Sequence, residues 1–184
     1  MNLAELSPAL LPTLTDEQYR QLLADVIGIT HEDRKQNQIL WYRPNNPKVQ
    51  AFHDCTAKVA GIGGGNGSGK SEAMIVDTVM TMTGVFPYSQ RHLVDQKFRG
   101  PVNCRLVVES LTNTLEQVIL PKLQWWKWSG VDMPGGARGH WGWIPKNCLI
   151  DGEWDKSYST KYRVLRVLCR DPQNQEKVLG ESSY

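Results

Sequence analysis

The residues with the clearest chemical use lie between positions 64 and 71. Gly64-Gly65-Asn66-Gly67-Ser68-Gly69-Lys70-Ser71 matches G-x-x-x-x-G-K-[ST] at every fixed position. Glycine lets a loop wrap closely round a phosphate and turn its backbone N–H groups inward. A helix N-terminus after the loop would add unpaired donors and the positive end of a dipole. The Lys70 ammonium can reach the β- and γ-phosphates, and the Ser71 hydroxyl can ligate Mg2+. The pattern predicts phosphate binding by Gly64, Gly65, Asn66, Gly67, Ser68, Gly69, Lys70 and Ser71, with Lys70 also the catalytic candidate. By itself it does not say what the bound energy is used for.

Hydrolysis asks for a further carboxylate, usually one of two consecutive acids at the end of an apolar strand, to organise Mg2+ through water. Glu109 follows Leu106-Val107-Val108, Asp151 follows Leu149-Ile150, and Asp171 follows Cys169-Arg170. None belongs to a consecutive acid pair. Each reads as an ordinary strand end or turn, with Asp151 carried as the candidate.

These residues need elements to position them. Thr15 and Gln18 form a capping-box pattern, and Tyr19, Leu22, Leu23, Val26 and Ile27 repeat at helical spacing up to a stop at Gly28. Asn46 and Pro47 open a short helix that carries Gln50, Phe52 and His53. Lys58-Val59-Ala60-Gly61-Ile62 reads as a buried strand leading into the glycine-rich loop. Ser71 to Met82 reads as the helix after it, with Met74, Ile75, Thr78, Val79 and Met82 on one face. Cys104 to Val108 reads as a second strand. A helix capped by Thr112 or Asn113 follows, with a kink at Pro121. The stretch from Trp128 to Tyr158 reads as irregular or as a hairpin, and Tyr162 to Arg170 as a third strand ended by Pro172. This order predicts an α/β domain with a mainly parallel sheet flanked by helices.

The chain has 184 residues, 40% hydrophobic and 22% charged, which suits one soluble domain with a real core. A net charge of +2 gives no bulk argument for nucleic acid, so a local basic patch would be needed. No apolar run approaches the roughly 18–20 residues that span a bilayer, and Met1-Asn2-Leu3-Ala4-Glu5 lacks the basic start and apolar run of a signal peptide. A cytoplasmic protein is therefore expected. Cys55, Cys104, Cys148 and Cys169 lack C-x-x-C spacing and read as reduced, mostly buried thiols; His53 beside Cys55 is too little for a metal site.

The chain resembles the ATPase domain of the large terminase subunit, the DNA-packaging motor of tailed bacteriophages. Three stretches carry the resemblance: Arg43-Pro44-Asn45-Asn46-Pro47-Lys48-Val49-Gln50-Ala51-Phe52-His53, the loop Gly63 to Ser71, and Arg105-Leu106-Val107-Val108 followed by Ile119-Leu120-Pro121-Lys122-Leu123. The likeness covers roughly residues 40–184. It implies a P-loop NTPase fold over residues 39–184, present only in part, behind a helical segment at residues 1–38. It implies ATP and Mg2+ as ligands, with Gln50 reading adenine. A Gln amide offers both a donor and an acceptor to the N6 and N7 edge, although an exposed helix residue is the alternative for Gln50. The implied partners are double-stranded DNA, a portal protein, a small terminase subunit and copies of the same chain in a ring, in the cytoplasm of an infected bacterium.

The family's acid pair and nuclease domain are not found by Tyr184. The chain therefore reads as a fragment ending before that pair, whose own hydrolysis is open. Arg91 and Arg99 are candidates for a charge-stabilising arginine supplied to a neighbour, with surface solvation or phosphate contact as the alternative for each. Trp125, Trp126, Trp128, Trp141 and Trp143, interleaved with Lys127 and Arg138, could stack on bases or fill a small core. Lys156, Lys161, Arg163, Arg166 and Arg170 form the strongest basic run, which reads as a partly solvated edge or a DNA contact. The competing functions are another nucleic-acid-dependent ATPase of helicase type and a nucleotide-binding module without turnover.

Overall fold

A computed structural model describes residues 15–65, 67–124 and 141–184. Helix α1 (Asp16–Asn37) starts as its sequence predicts, with Thr15 and Gln18 in a reciprocal capping box. It does not stop at Gly28. That glycine faces open space, and its cost of about 1 kcal/mol relative to alanine is too small to end a helix with nine more residues following it. A 3-10 turn, Gln38–Trp41, leads on to α2 (Pro47–Asp54). Asn46 caps α2 by accepting from the Lys48 and Val49 N–H groups, both at 3.0 Å, and proline stands where its missing N–H is harmless.

Helix α3 (Lys70–Thr83) is the central element. Ala73, Ile75, Val76, Val79, Met80 and Met82 are all buried along it, and each large apolar side chain so covered is worth about 1.5–3 kcal/mol. Gly84 ends it in the left-handed conformation at φ 71°, its N–H donating to the Met80 carbonyl. A 3-10 stretch, Tyr88–Leu93, and the short α4 (Val94–Lys97) follow. Next comes a π-wound helix, Leu111–Ile119, that tightens into α5 (Leu120–Leu123). Its cap is Ser110, whose hydroxyl accepts from Asn113 N–H at 3.0 Å, rather than Thr112 or Asn113. The change in winding falls beside Pro121, which has no N–H to give and whose ring crowds the carbonyl one turn back. Helix α6 (Trp154–Ser157) precedes β1 (Tyr158–Ser159), β2 (Val164–Arg170) and β3 (Val178–Ser183).

The expected mainly parallel sheet, and with it the P-loop NTPase fold, is overturned. The three strands form an antiparallel sheet in the order β1-β2-β3, with Tyr158 opposite Leu165 and Val167 opposite Ser182. The only parallel pairing among the described residues is an isolated bridge between Asn103 and Ser183. The two expected parallel strands fail for one reason, since a strand exists only through a partner. Residues 58–62 form no strand, and Val59 is 88% exposed. Gly61 weakens that run further. Residues 104–108 keep a strand's alternation, with Cys104, Leu106 and Val108 half-buried, yet backbone pairing stops at Cys104. The expected third strand is present as β2. Its Leu165, Val167 and Cys169 turn inward against α3.

All four cysteines are free, Cys148 and Cys169 fully covered and Cys55 and Cys104 half so. Burial pushes the Cys148 thiol up to about 12. At pH 8 the folded protein should therefore leave Cys148 unalkylated by iodoacetamide and expose it only on unfolding; mass spectrometry of the labelled peptide reads the difference, and native labelling would refute it.

Candidate phosphate-binding site

Residues 60–65 approach α3 without regular structure, all exposed except the half-buried Ile62, and Gly67 and Gly69 then turn left-handed at φ 76° and 82°. Two of the glycines lie where a Cβ would make a neighbouring side chain shift, and Gly69 also holds the left-handed backbone that favours glycine. A Cβ on Gly64 would lie 3.0 Å from Ser68 Oγ, and one on Gly69 would lie 2.6 Å from Asn45 Nδ2. Asn45 donates to the Ser68 carbonyl at 3.4 Å and accepts from Asn46 at 2.8 Å, so the segment before α2 braces the loop. Nothing in the motif's spacing pointed to Asn45. Asn66, which the motif names, lies outside the described residues.

Lys70 folds its ammonium back over the loop. Nζ donates to the carbonyls of Gly64 and Gly65, both at 2.6 Å, and to Ser68 Oγ at 3.2 Å. No side chain caps α3, and its first internal bond runs from Ala73 N–H to Gly69 at 2.9 Å. The N–H groups of Lys70, Ser71 and Glu72 thus have no partner within the helix. A loop of glycines, an ammonium at its centre and a bare helix start form one cradle for an anion. Ser71 is exposed at its lip.

Gln50 is placed elsewhere. It forms a reciprocal amide pair with the fully buried Gln90, at 3.1 Å in one direction and 2.9 Å in the other. It also donates to Asp54 at 2.7 Å. A hydrogen bond from His92 holds the Asp54 carboxyl below its usual range, with the Gln50 contact adding to this. The cleft that opens beside the loop, about 430 Å3, lies along the other side of α2, against Lys48, Phe52, Cys55, Val59 and Ile62. Gln50 does not line it.

Beneath α2 runs a buried polar chain that sequence inspection missed. Tyr42 OH meets His53 Nε2 at 2.9 Å, His53 Nδ1 meets Asp77 Oδ1 at 3.0 Å, and Lys97 Nζ reaches the same oxygen at 2.6 Å. His53 is wholly buried. Burial pushes the Tyr42 phenol well above its ordinary range, and the Glu72 and Asp77 carboxylates push it further. The signal lay in His53, an imidazole on the inner face of a capped helix, but its partners Tyr42 and Asp77 are 11 and 24 residues distant in the chain.

The other candidates have local duties. Asp151 sits in a turn at φ 52°, paired with Lys156 at 3.1 Å. Asp171 accepts from Gln173 N–H and from Lys177, which hold its carboxyl below the usual range. Arg99 donates to the carbonyls of Asp95, Gln96 and Phe98, where it caps α4, and Arg91 stacks on Tyr88. In the basic run, Lys156 bridges Asp151 and Glu153, Arg163 pairs with Glu116, and Arg166 with Glu181. Arg170 donates to the Asn147 and Gln175 carbonyls. Lys161 lies over the Tyr162 ring. Most of the run's charge is therefore committed. Trp143 is buried, edge-on to Tyr42 at 5.5 Å, which is the core role rather than the base-stacking one. Trp125, Trp126, Lys127, Trp128 and Arg138 lie outside the described residues.

No family model, no curated protein and no solved structure matches the chain. Among the described residues, no helix is long and apolar enough to cross a membrane.

Proposed function

We propose that the chain binds ATP on residues 64–71 and is the nucleotide-binding part of a terminase-type motor that couples ATP hydrolysis to movement of double-stranded DNA into a capsid. The observation that carries the nucleotide reading is Lys70, whose ammonium is held over the loop by two carbonyls and a hydroxyl at the bare start of α3. Those three contacts hold the ammonium at the centre of the loop. Triphosphate oxygens would take them over. The cradle fits Mg2+ through the Ser71 hydroxyl, and the ion would neutralise charge on the β- and γ-phosphates. The reading rests on the loop and the helix start, not on the sheet.

The motor assignment rests on the likeness of the segments at residues 43–53, 63–71 and 105–123 to that family. It carries with it the portal protein, the small terminase subunit, the ring of copies and the cytoplasm of the infected host. Calorimetry with ATP, inorganic triphosphate and sulfate tests the cradle. ATP and triphosphate should bind with Mg2+, and sulfate should bind far more weakly; equal affinity for all three would reduce the loop to a general anion trap.

Gln50 reads adenine, in this proposal, by exchanging Gln90 for the base edge. Gln50→Ala should then weaken ATP by about tenfold and GTP by less, in keeping with the loss of one or two polar contacts. An equal loss for both nucleotides would withdraw Gln50 from base reading and leave the base to the cleft beside Phe52.

A further inference from the structure

A polar cleft of about 360 Å3 lies away from the loop, past the other end of α3. That helix has 14 residues, so its two ends stand about 20 Å apart. Leu40, Val85, Phe86 and Val94 form the apolar part of the lining. The segment that leads into α4 supplies Arg91 and Asp95, and the turn between β2 and β3 supplies Gln173 and Gln175. We propose that this cleft binds a free α-amino acid with an aliphatic side chain, its carboxylate on Arg91 and its ammonium on Asp95.

Both segments are fixed by bonds of their own. Gln175 Nε2 donates to the Gly84 carbonyl at 3.1 Å and to the Asp171 carbonyl at 3.0 Å, which ties the turn to the end of α3. Arg170 donates to the Gln175 carbonyl at 2.7 Å. In the other segment Gln90 N–H donates to the Pro87 carbonyl and Phe98 N–H to the Val94 carbonyl, both at 2.9 Å. A preformed cleft of this volume falls in the usual range for a small-molecule site.

Charge narrows the ligand. Arg91 and Asp95 are exposed and four residues apart. Opposite charges at that spacing ordinarily close on each other. Here neither pairs with a described charged group, and the Arg91 guanidinium lies over the Tyr88 ring, 5.0 Å from its centroid. A plain anion on Arg91 would share the cleft with the Asp95 carboxylate, and a plain cation on Asp95 would share it with the guanidinium. A zwitterion satisfies both, because it carries an ammonium and a carboxylate on one α-carbon.

The apolar lining narrows the side chain. A nucleobase could also meet an arginine and a carboxylate, but it would need a ring face to stack on. Phe86 is only 4% exposed, and the Tyr88 face is taken by Arg91. Leu40 and Val94 are half-buried and offer aliphatic surface instead. None of residues 64–71 lines the cleft, so this site stands or falls apart from the nucleotide reading.

The test uses the full chain, L-leucine and its two halves: isocaproate, which lacks the ammonium, and isoamylamine, which lacks the carboxylate. Titration calorimetry should show saturable binding of leucine, with either half at least tenfold weaker. Asp95→Asn and Arg91→Gln are exposed changes that should leave the thermal midpoint in place and weaken leucine at least tenfold each. Asp95→Asn should also erase the preference for leucine over isocaproate, and Arg91→Gln the preference over isoamylamine. No saturable binding at about ten millimolar leucine, a half that binds as tightly as the whole, or a preference that survives in the matching variant would overturn the proposal.

Discussion

Lys70→Ala is expected to cost ATP binding at least a hundredfold, about 3 kcal/mol, while leaving the fold in place. The two halves of that expectation have separate causes. The ammonium is the one positive charge at the centre of the loop, with Nζ 2.6 Å from the Gly64 and Gly65 carbonyls. A triphosphate bound without it would press its charge against bare carbonyl oxygens. Stability should change little, because Gly64 and Gly65 are exposed and water can replace the ammonium at their carbonyls. Titration calorimetry checks the first half and thermal unfolding the second. Retained micromolar affinity in a folded variant would sink the nucleotide assignment.

Gly84→Ala is expected to be the most damaging single methyl group in the described chain. A Cβ there would fall 1.9 Å from the Arg170 carbonyl oxygen and 3.1 Å from Phe98 Cε2. The oxygen belongs to the backbone of β2 and cannot swing away as a side-chain end could. The backbone at Gly84 is also left-handed, at φ 71°, which costs a residue with a Cβ about 1–3 kcal/mol before any clash. Overpacking adds a further 1–3 kcal/mol or so. The total is about 4 kcal/mol, seen as a lowered midpoint in urea. The joint between α3 and the sheet must open for the methyl to enter. A loss of unfolding free energy below about 1 kcal/mol would mean that this joint is soft.

What could be read in the residues beforehand follows a physical line. Elements made by local rules were legible. The Asn46-Pro47 start of α2, the helical run of α3 and the capping box of α1 depend on neighbours within one or two turns, although the buried face of α3 runs through Ala73, Val76 and Met80 and leaves the expected Met74 exposed. Strand pairing depends on residues far away. Lys58 to Ile62 and Cys104 to Val108 have strand-like composition, but no sequence pattern says whether a partner lies alongside. That is where the parallel sheet was lost.

The site divides the same way. The glycine turns and the helix start at Lys70 follow the local pattern of residue types, while Asn66 lies outside the described residues. Asn45 as brace and Gln90 as the partner of Gln50 were not legible, since each depends on how distant segments meet. For Arg99 and most of the basic run, residue type left a solvated edge and a task for a partner molecule both open, and it did not name the local groups these charges engage.

The polar chain Tyr42–His53–Asp77–Lys97 has a mechanical consequence. One carboxylate on α3 fastens the turn before α2, α2 itself and the end of α4. Asp77 stands two helical turns from Lys70 on the same rigid rod. A load applied at the loop is thus carried along α3 as along a lever, with His53 and Lys97 as the pins that pass it sideways. Hydrogen exchange in α2 should track that in α3 when the loop is engaged, and should uncouple when His53 is replaced by leucine.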